Sequence, residues 1–251
     1  MSESQQPLTG KVALITGAAH RIGAQIARTL HSSGMNLALH YRSSVEAAQA
    51  LEQELEEIRP NSITLLQADL NQTDSPPKLI NAVSAHFGRL DLLVNNASSF
   101  YPTPIGTVQA AQWEDLITTN MKAPFFLSQA AASLLQESQG CIINLVDIHA
   151  ERPLKGHPIY SMAKAGNAMM VKSLAQELGP EIRVNGIAPG AILWPEQACI
   201  QDKQEEILSR TTLKRMGTPS DIAKTVLFLF KDAHYTTGQI ITVDGGRTLQ
   251  Q

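Results

Sequence analysis

Residues Lys11-Val-Ala-Leu-Ile-Thr-Gly17-Ala-Ala-His-Arg-Ile-Gly23 decide the fold of this chain. An apolar run leads directly into a turn with the spacing Gly-x5-Gly. Residues 22–30 then place apolar side chains at helical period, and Gly34 ends the pattern. Backbone N–H groups at such a turn form an anion site with the positive end of the helix, and the glycines let a pyrophosphate approach without a Cβ in the way. The stretch therefore predicts a strand, a phosphate-binding turn and a helix.

The rest of the chain continues this alternation. Strands are predicted at residues 11–16, 35–41, 62–67, 90–94, 141–146, 183–187 and 239–243. Helices are predicted at residues 22–30, before 59, at 77–87, at 112–137, before 178, at 201–209 and at 220–231. The alternation predicts an α/β fold over residues 1–251, one domain with a parallel sheet covered by helices on both faces. Residues 191–212 are the least regular part and are predicted to form a substrate lid.

Composition excludes several classes of function. Apolar residues make up 43% of the chain, charged residues 17%, and the net charge is −3. This balance gives no electrostatic case for binding nucleic acid or a membrane surface. No apolar run approaches the roughly 20 residues of a membrane span, and no signal-peptide pattern is present, so a cytoplasmic location is expected. Cys141 and Cys199 lack metal-ligand spacing and are interpreted as packing residues, so no metal is expected.

The tip of the second predicted strand indicates which dinucleotide is bound. NAD-binding folds usually place an acid there for the adenine ribose, whereas this chain has Arg42-Ser43-Ser44. A guanidinium bonds two oxygens of a 2′-phosphate and hydroxyls donate to it, which predicts NADPH. The alternative is an ordinary helix start, with Ser44 as the N-cap and Arg42 solvated.

Two later strand ends carry further candidates. Asp69 follows the third strand and is expected to accept from the adenine amino group or to cap the polar turn after it. Ala97 follows the fourth strand, where a small side chain lets a flat ring lie close. Phe100 and Tyr101, on the loop that follows, are positioned to stack on a second ring or to anchor the loop in the core.

An acid/base device is predicted where the fifth strand meets the following helix. Tyr160 and Lys164 are four residues apart and share one helix face. A cation near a phenol favours the phenolate, so Lys164 is expected to lower the pKa of Tyr160 and make it a proton donor. Asp147 leaves the strand thirteen residues upstream and either joins this pair or caps the next helix. Asn120, inside the predicted helix 112–137, is either solvated or has a specific role for its amide.

Taken together, these motifs resemble the short-chain dehydrogenase/reductases over almost the whole chain. The matching motifs are Gly17-x5-Gly23, Asn95-Asn-Ala97, Asn120, Tyr160-x-x-x-Lys164 and Pro189-Gly190. The resemblance implies a Rossmann fold with strand order 3-2-1-4-5-6-7 and a homotetramer. It also implies that Tyr160 is the acid, that Lys164 binds the nicotinamide ribose, and that Asn120 holds a proton-relay water.

Two departures narrow the resemblance. The family generally has glycine at Arg21 and serine at Asp147, and the residues found here are similar to those of the pteridine and dihydromonapterin reductases. That subfamily implies that Arg21 approaches both cofactor and pterin, and that Phe100 sandwiches the pterin against nicotinamide. The implied cofactor-binding residues are Gly17, Arg21, Ile22, Gly23, Tyr41, Arg42, Ser43, Asp69, Leu70, Asn96, Ala97, Ser98, Tyr160, Lys164, Pro189 and Gly190. The implied substrate-binding residues are Arg21, Ser98, Phe100, Asp147, Tyr160 and Leu193.

The expected activity is therefore NADPH-dependent reduction of a pterin or folate. Reducing a C=N bond needs a proton delivered to a ring nitrogen, and a carboxyl group beside a phenol can relay that proton from water. The alternatives are a carbonyl or 3-oxoacyl reductase of the same family and, from another class, an NADP-sensing protein without turnover.

Overall fold

The computed structural model describes residues 8–192 and 201–249, which form one seven-stranded sheet with helices on both faces. The strands are β1 Val12–Ile15, β2 Asn36–Tyr41, β3 Ile63–Gln67, β4 Leu92–Asn95, β5 Cys141–Leu145, β6 Arg183–Pro189 and β7 Ile240–Val243. All neighbouring strands are parallel, in the order β3-β2-β1-β4-β5-β6-β7. The predicted fold class and strand order are confirmed.

The helices divide between the two faces of the sheet. They are α1 Arg21–Ser32, α2 Val45–Ile58, α3 Ser75–Phe87, α4 Ala110–Ile117, α5 Ala123–Glu137, α6 Pro158–Glu177, α7 Gln201–Ser209 and α8 Pro219–Lys231. One apolar core lies under α1, α2 and α8, and a second lies under α3, α5 and α6. Alternate residues of β1 pack into the two cores. Ala13 and Ile15 belong to the first core, and Val12 and Leu14 belong to the second. A strand buried on both faces is apolar along its whole length, which is why these strands were predictable.

The predicted helix 112–137 is wrong in one respect, because a π-helical turn, Thr118–Lys122, separates α4 from α5. Pro124 lacks an N–H and cannot bond the carbonyl of Asn120 four residues earlier. That carbonyl instead accepts a hydrogen bond from the Asn167 side chain of α6 at 2.8 Å. The backbone hydrogen bond here spans five residues in place of four, from the Ala123 N–H to the Thr118 carbonyl.

Other predictions differ from the structure only at element ends. Helix α7 is confirmed at Gln201–Ser209. The proposed lid at 191–212 is described only in part, and Leu193 and Cys199 lie outside the described residues, so the lid stays a prediction. Cys141 is buried in β5, and burial raises the pKa of its thiol to about 11. Within residues 8–192 and 201–249, no helix has the length and apolar character needed to cross a bilayer, and no cluster of three metal-ligating side chains occurs.

The sheet is fixed at the end opposite the carboxyl ends of its strands. The buried Asp91 carboxylate accepts the Val12 N–H at 2.9 Å and two N–H groups of Arg89 at 2.8 and 2.7 Å, with Lys11 Nζ 3.4 Å away. Buried charges need such pairing. These contacts tie β1 to β4 in register, so that their carboxyl ends open together onto one cleft.

Candidate active site

A cleft of about 710 Å³ runs along the carboxyl ends of the central strands. Its walls contain every predicted site residue within the described chain except Asn120. Those lining residues are Gly17, Arg21, Ile22, Gly23, Tyr41, Arg42, Ser43, Asp69, Leu70, Asn96, Ala97, Ser98, Phe100, Asp147, Tyr160, Lys164, Pro189 and Gly190. Leu193 falls outside the described residues. The topology therefore gathers the predicted residues at one edge of the sheet.

The turn after β1 leaves room only for glycine. A Cβ added to Gly23 would lie 2.3 Å from the Gly17 carbonyl oxygen and 2.7 Å from Asn96 Nδ2. Asn96 Nδ2 holds the turn by donating to the carbonyls of Thr16 and Gly17, at 2.8 and 3.0 Å. His20, the N-cap residue of α1, makes no side-chain hydrogen bond to the helix. The backbone of the turn is thus close-packed, and the N–H groups at the start of α1 receive no side-chain cap. Free N–H groups at a helix start suit the pyrophosphate of a dinucleotide.

His40 supports this turn from β2. Its Nδ1 accepts the Gly17 N–H at 3.2 Å, and its Nε2 donates to the Ala68 carbonyl at 3.1 Å. The two partners fix the neutral tautomer, and burial lowers the pKa of His40 to about 4, against smaller opposing effects of the Ala68 bond and the Asp69 charge. Sequence reasoning assigned no role to His40, although a histidine in an otherwise apolar strand was the available signal.

Arg21 occupies a backbone conformation that favours glycine. Its φ is 51°, in the left-handed region, where a side chain costs about 1 kcal/mol relative to glycine. Its guanidinium-bearing side chain lines the cleft. A glycine at this position would avoid that strain. The arginine is therefore explained by the place of its side chain in the cleft wall and not by the backbone conformation.

The far end of the cleft carries Arg42 and the residues around it. Ser44 is the N-cap residue of α2 but makes no capping hydrogen bond through its side chain, which weakens the helix-start alternative. Asp69 Oδ1 accepts the Asn71 N–H at 3.0 Å, so its predicted role in the polar turn is confirmed, and its contact with adenine stays a prediction. Arg42 is half exposed, with its nearest acid, Asp115, 3.9 Å away.

Asp147, Tyr160 and Lys164 meet at the centre of the cleft. The Tyr160 hydroxyl donates to Asp147 Oδ2 at 2.7 Å, and Asp147 Oδ1 accepts the His149 N–H at 2.8 Å. Both predicted readings of Asp147 are therefore present, since one oxygen caps the short 3₁₀ turn Ile148–Ala150 and the other binds the phenol. Lys164 Nζ donates to the Leu145 carbonyl at 2.9 Å and lies 5.6 Å from the centre of the Tyr160 ring.

The prediction that the pKa of Tyr160 is lowered is wrong in this structure. Burial, followed by the charge of Asp147 and the hydrogen bond to it, raises the pKa of Tyr160, with a smaller opposing effect from Ser98. Ionising the phenol would place an anion 2.7 Å from a carboxylate. Burial also lowers the pKa of Lys164 to about 8, which Asp147 partly offsets. Tyr160 is therefore a neutral phenol whose proton is directed at Asp147.

Asn120 lies behind the cleft wall and uses its whole side-chain amide. Its Oδ1 accepts from Ser98 Oγ at 2.6 Å, and its Nδ2 donates to the Ser99 and Leu116 carbonyls at 2.9 Å. The alternative that the amide has a specific role is thus the correct one. A role in holding a relay water stays a prediction.

A chain of buried amides links the π-helical turn to the sheet. Asn167 Nδ2 bonds the Asn120 carbonyl, Asn144 Nδ2 bonds Asn167 Oδ1 at 2.8 Å, and Asn95 Nδ2 bonds Asn144 Oδ1 at 2.9 Å. These bonds connect β4, β5, α6 and the turn directly beneath the cleft. A buried network of this kind specifies one arrangement of its elements because each broken bond leaves a polar group without water.

Phe100 and Tyr101 make different contacts. The Phe100 ring lines the cleft, stacked on His157 at 4.8 Å and edge-on to Tyr160 at 4.9 Å. Tyr101 does not line the cleft; it packs against the cluster of Leu116, Ile159 and Tyr160, and its hydroxyl donates to Asp115 Oδ2 at 3.0 Å. Stacking on a ligand is thus possible for Phe100, whereas Tyr101 anchors the loop.

Arg247 was not predicted as a site residue. It lines the cleft, and its NH1 has no hydrogen-bond partner among the described residues. Arg247 follows the last residue of β7, Val243, by four positions, and this spacing does not show how far its side chain lies from the cleft.

Comparisons with known proteins show which proteins this chain resembles. A family model described as enoyl-(acyl carrier protein) reductase matches residues 17–248. The chain is 35% identical to pteridine reductase 1 of Leishmania tarentolae, over 96% of this chain and 97% of that protein. It is 37% identical to 3-oxoacyl-(acyl-carrier-protein) reductase FabG of Staphylococcus aureus, over 94% and 97%. It is 34% identical to the uncharacterized oxidoreductase YmfI of Bacillus subtilis, over 94% and 98%.

The buried His40 makes stability depend on pH. Its pKa in the folded chain, about 4, is below the ordinary value of 6.5, so the unfolded chain binds the proton more tightly. Its contribution, about 3 kcal/mol, is fully present above pH 6.5 and is lost as the pH falls toward 4. Urea unfolding of the wild type and of His40→Asn, which keeps an acceptor for Gly17 but does not titrate, measures this. We expect the free energy of unfolding to fall less steeply in the variant between pH 6.5 and 4, and parallel curves would contradict the assignment.

Proposed function

We propose that this chain, which belongs to the short-chain dehydrogenase/reductase family, is an NADPH-dependent reductase of pterins. The observation that carries the proposal is the Tyr160 hydroxyl directed at the Asp147 carboxylate, 2.7 Å away, beside the exposed ring of Phe100. A flat heterocycle with a C=N bond needs an aromatic wall on which to stack and a proton delivered to a ring nitrogen. The cleft offers both, because the centre of the Phe100 ring lies 4.9 Å from that of the Tyr160 ring.

The side chains divide the proton transfer between them. Tyr160 is buried and Asp147 is half-buried, so a proton from water reaches the carboxylate before the phenol. A proton that leaves Tyr160 for the substrate nitrogen is replaced through Asp147. The Lys164 ammonium, held by the Leu145 carbonyl, lies under the Tyr160 ring and stabilises negative charge that develops on the phenol during transfer. NADPH, when bound, supplies the hydride.

The residues around the turn support NADPH as the cofactor. The glycine cradle at Gly17 and Gly23 accommodates a pyrophosphate, and Pro189 and Gly190 line the cleft where the nicotinamide would lie. At the other end, Arg42 and Ser43 are exposed at the tip of β2, and the strand itself ends without an acid for a free ribose 2′-hydroxyl. A guanidinium there favours a phosphate dianion.

A second candidate is reduction of 3-oxoacyl thioesters. The 37% identity to FabG of Staphylococcus aureus favours it. A ketone needs its proton on an alkoxide oxygen, for which a serine hydroxyl beside the tyrosine suffices. The carboxylate of Asp147 stands in that position, with the Phe100 ring beside Tyr160, so we place pterin reduction first.

We further propose that the enzyme assembles as a homotetramer in the cytoplasm, as the resemblance implies. An apolar face formed by Phe125 and Phe126 of α5 and Met162 and Met169 of α6 supports assembly. These four side chains are 40%, 41%, 49% and 62% exposed. A groove of about 340 Å³ runs between the two helices. Contiguous apolar surface of this kind marks interaction sites.

Substitution at the phenol and the carboxylate tests the mechanism. Tyr160→Phe removes the proton donor, and we expect kcat for a dihydropterin to fall by about 10²- to 10⁴-fold while NADPH affinity stays near that of the wild type. Asp147→Asn keeps an acceptor for the phenol but cannot relay a proton, so kcat should fall by a similar order. Steady-state kinetics and NADPH titration measure both effects. Full activity of Tyr160→Phe would refute the mechanism.

Charge reversal at Arg42 tests the cofactor assignment. Arg42→Glu places an anion against the 2′-phosphate, so we expect the ratio of kcat/KM for NADPH to that for NADH to fall by about 10²-fold or more. Lys224→Glu, which reverses an exposed charge on α8 outside the cleft, serves as the control. An unchanged ratio in Arg42→Glu would show that the guanidinium does not recognise the phosphate.

A further inference from the structure

The Asp115 carboxylate contacts side chains from both functional ends of the cleft, Tyr101 at one and Arg42 at the other. Its Oδ2 accepts the Tyr101 hydroxyl at 3.0 Å. Its Oδ1 accepts from Asn71 Nδ2 at 3.1 Å and faces Arg42 NH1 at 3.9 Å. One oxygen is thus directed at the loop that carries Phe100, and the other at the arginine assigned to the cofactor phosphate.

The loop after β4 is fixed to the protein by side chains on either side of Phe100. Ser98 bonds Asn120 at 2.6 Å, and Ser99 bonds Thr119 at 3.3 Å. Beyond Phe100, the Tyr101 hydroxyl bonds Asp115, and the Thr103 N–H bonds the Gly156 carbonyl at 2.7 Å. Phe100 itself makes ring contacts with His157 and Tyr160. The position of its ring is therefore set by these anchors, of which Tyr101 is the nearest on the C-terminal side.

The contact between Asp115 and Arg42 is too exposed to matter for stability. The two side chains are 28% and 56% exposed and separated by 3.9 Å, and such pairs contribute between zero and about 1 kcal/mol. A guanidinium, however, has five N–H donors on a rigid plane. Two of them can bind a phosphate while another edge stays directed at Asp115. The carboxylate is thus placed to bias the direction in which the guanidinium points.

We propose that Asp115 is a positioning residue shared by both ends of the cleft, which orients Arg42 toward the 2′-phosphate and, through Tyr101, holds the Phe100 loop. A ligand that orders Arg42 against Asp115 also orders Asp115 itself, which is the hydrogen-bond partner of Tyr101. Phosphate recognition and substrate binding are therefore coupled. This inference rests on the proposed function, because it takes Arg42 as the phosphate ligand and Phe100 as the wall of the substrate slot. Coupling between two sites is reciprocal, so it is measurable from either ligand.

Binding to the oxidised cofactors tests the orientation of Arg42 without turnover. We expect Asp115→Asn to weaken NADP⁺ about 3- to 10-fold by calorimetry and to leave NAD⁺ unchanged, because only NADP⁺ carries the 2′-phosphate. If the carboxylate merely repels the phosphate, the same variant will bind NADP⁺ more tightly, which would overturn the proposal, as would an unchanged affinity. Asp74→Asn, which removes a surface carboxylate outside the cleft, is the matched control.

Pterin titration into the cofactor complexes tests the coupling. A dihydropterin should bind the wild-type NADP⁺ complex about 5-fold more tightly than the NAD⁺ complex, and Tyr101→Phe should abolish that difference while keeping NADP⁺ affinity. Equal pterin affinities in the two wild-type complexes, or a difference that survives in Tyr101→Phe, would refute the coupling and leave pterin reduction standing. A wild type that binds no pterin would instead refute the proposed function, while the NADP⁺ titrations would still decide the role of Asp115. Melting temperatures of all variants identify any that fail to fold.

Discussion

The hydrogen bond from Tyr160 to Asp147 is the interaction on which the account of this protein depends. It joins the end of β5 to the first turn of α6, and it determines which group holds the proton at the centre of the cleft. Because the phenol is buried against a carboxylate, its pKa is raised and the hydroxyl stays protonated. A tyrosine paired only with a lysine would be driven the other way. In the proposed mechanism, the carboxylate therefore changes the chemistry of the Tyr160–Lys164 pair from phenolate formation to proton relay.

The scaffold holds this pair through polar contacts beneath it. Pro124 opens a π-helical turn and frees the Asn120 carbonyl, which is taken by Asn167 on the same helix as Tyr160. The Asn120 side chain in turn holds the loop that begins at Ser98. Helix α6, which carries Tyr160, and the loop that carries Phe100 are thus held by the same chain of buried amides. A disturbance of that chain would displace both walls of the slot together.

Most of the fold, and most of the residues that line the cleft, could be predicted from the sequence. The direction in which individual side chains point could not. Buried parallel strands are apolar throughout, and a Gly-x5-Gly turn has few uses, so the order of elements followed from pattern. The π-helical turn was missed because the periodicity of residues 112–137 continues across it, although Pro124 was a visible signal. Phe100 and Tyr101 are adjacent and equally aromatic, and only tertiary contacts separate their roles. The pKa of Tyr160 was predicted in the wrong direction because spacing placed Lys164 nearby but did not show that the phenol is buried and bonded to the Asp147 carboxylate.

The central claim is that the carboxylate and the aromatic wall select a nitrogen heterocycle over a ketone. The most direct test is the specificity constant of the wild-type protein, kcat/KM with NADPH, for a dihydropterin and for a 3-oxoacyl thioester. A site built around a carboxyl group and a stacking ring should favour the pterin by at least about 100-fold. Equal constants, or a preference for the thioester, would contradict the account.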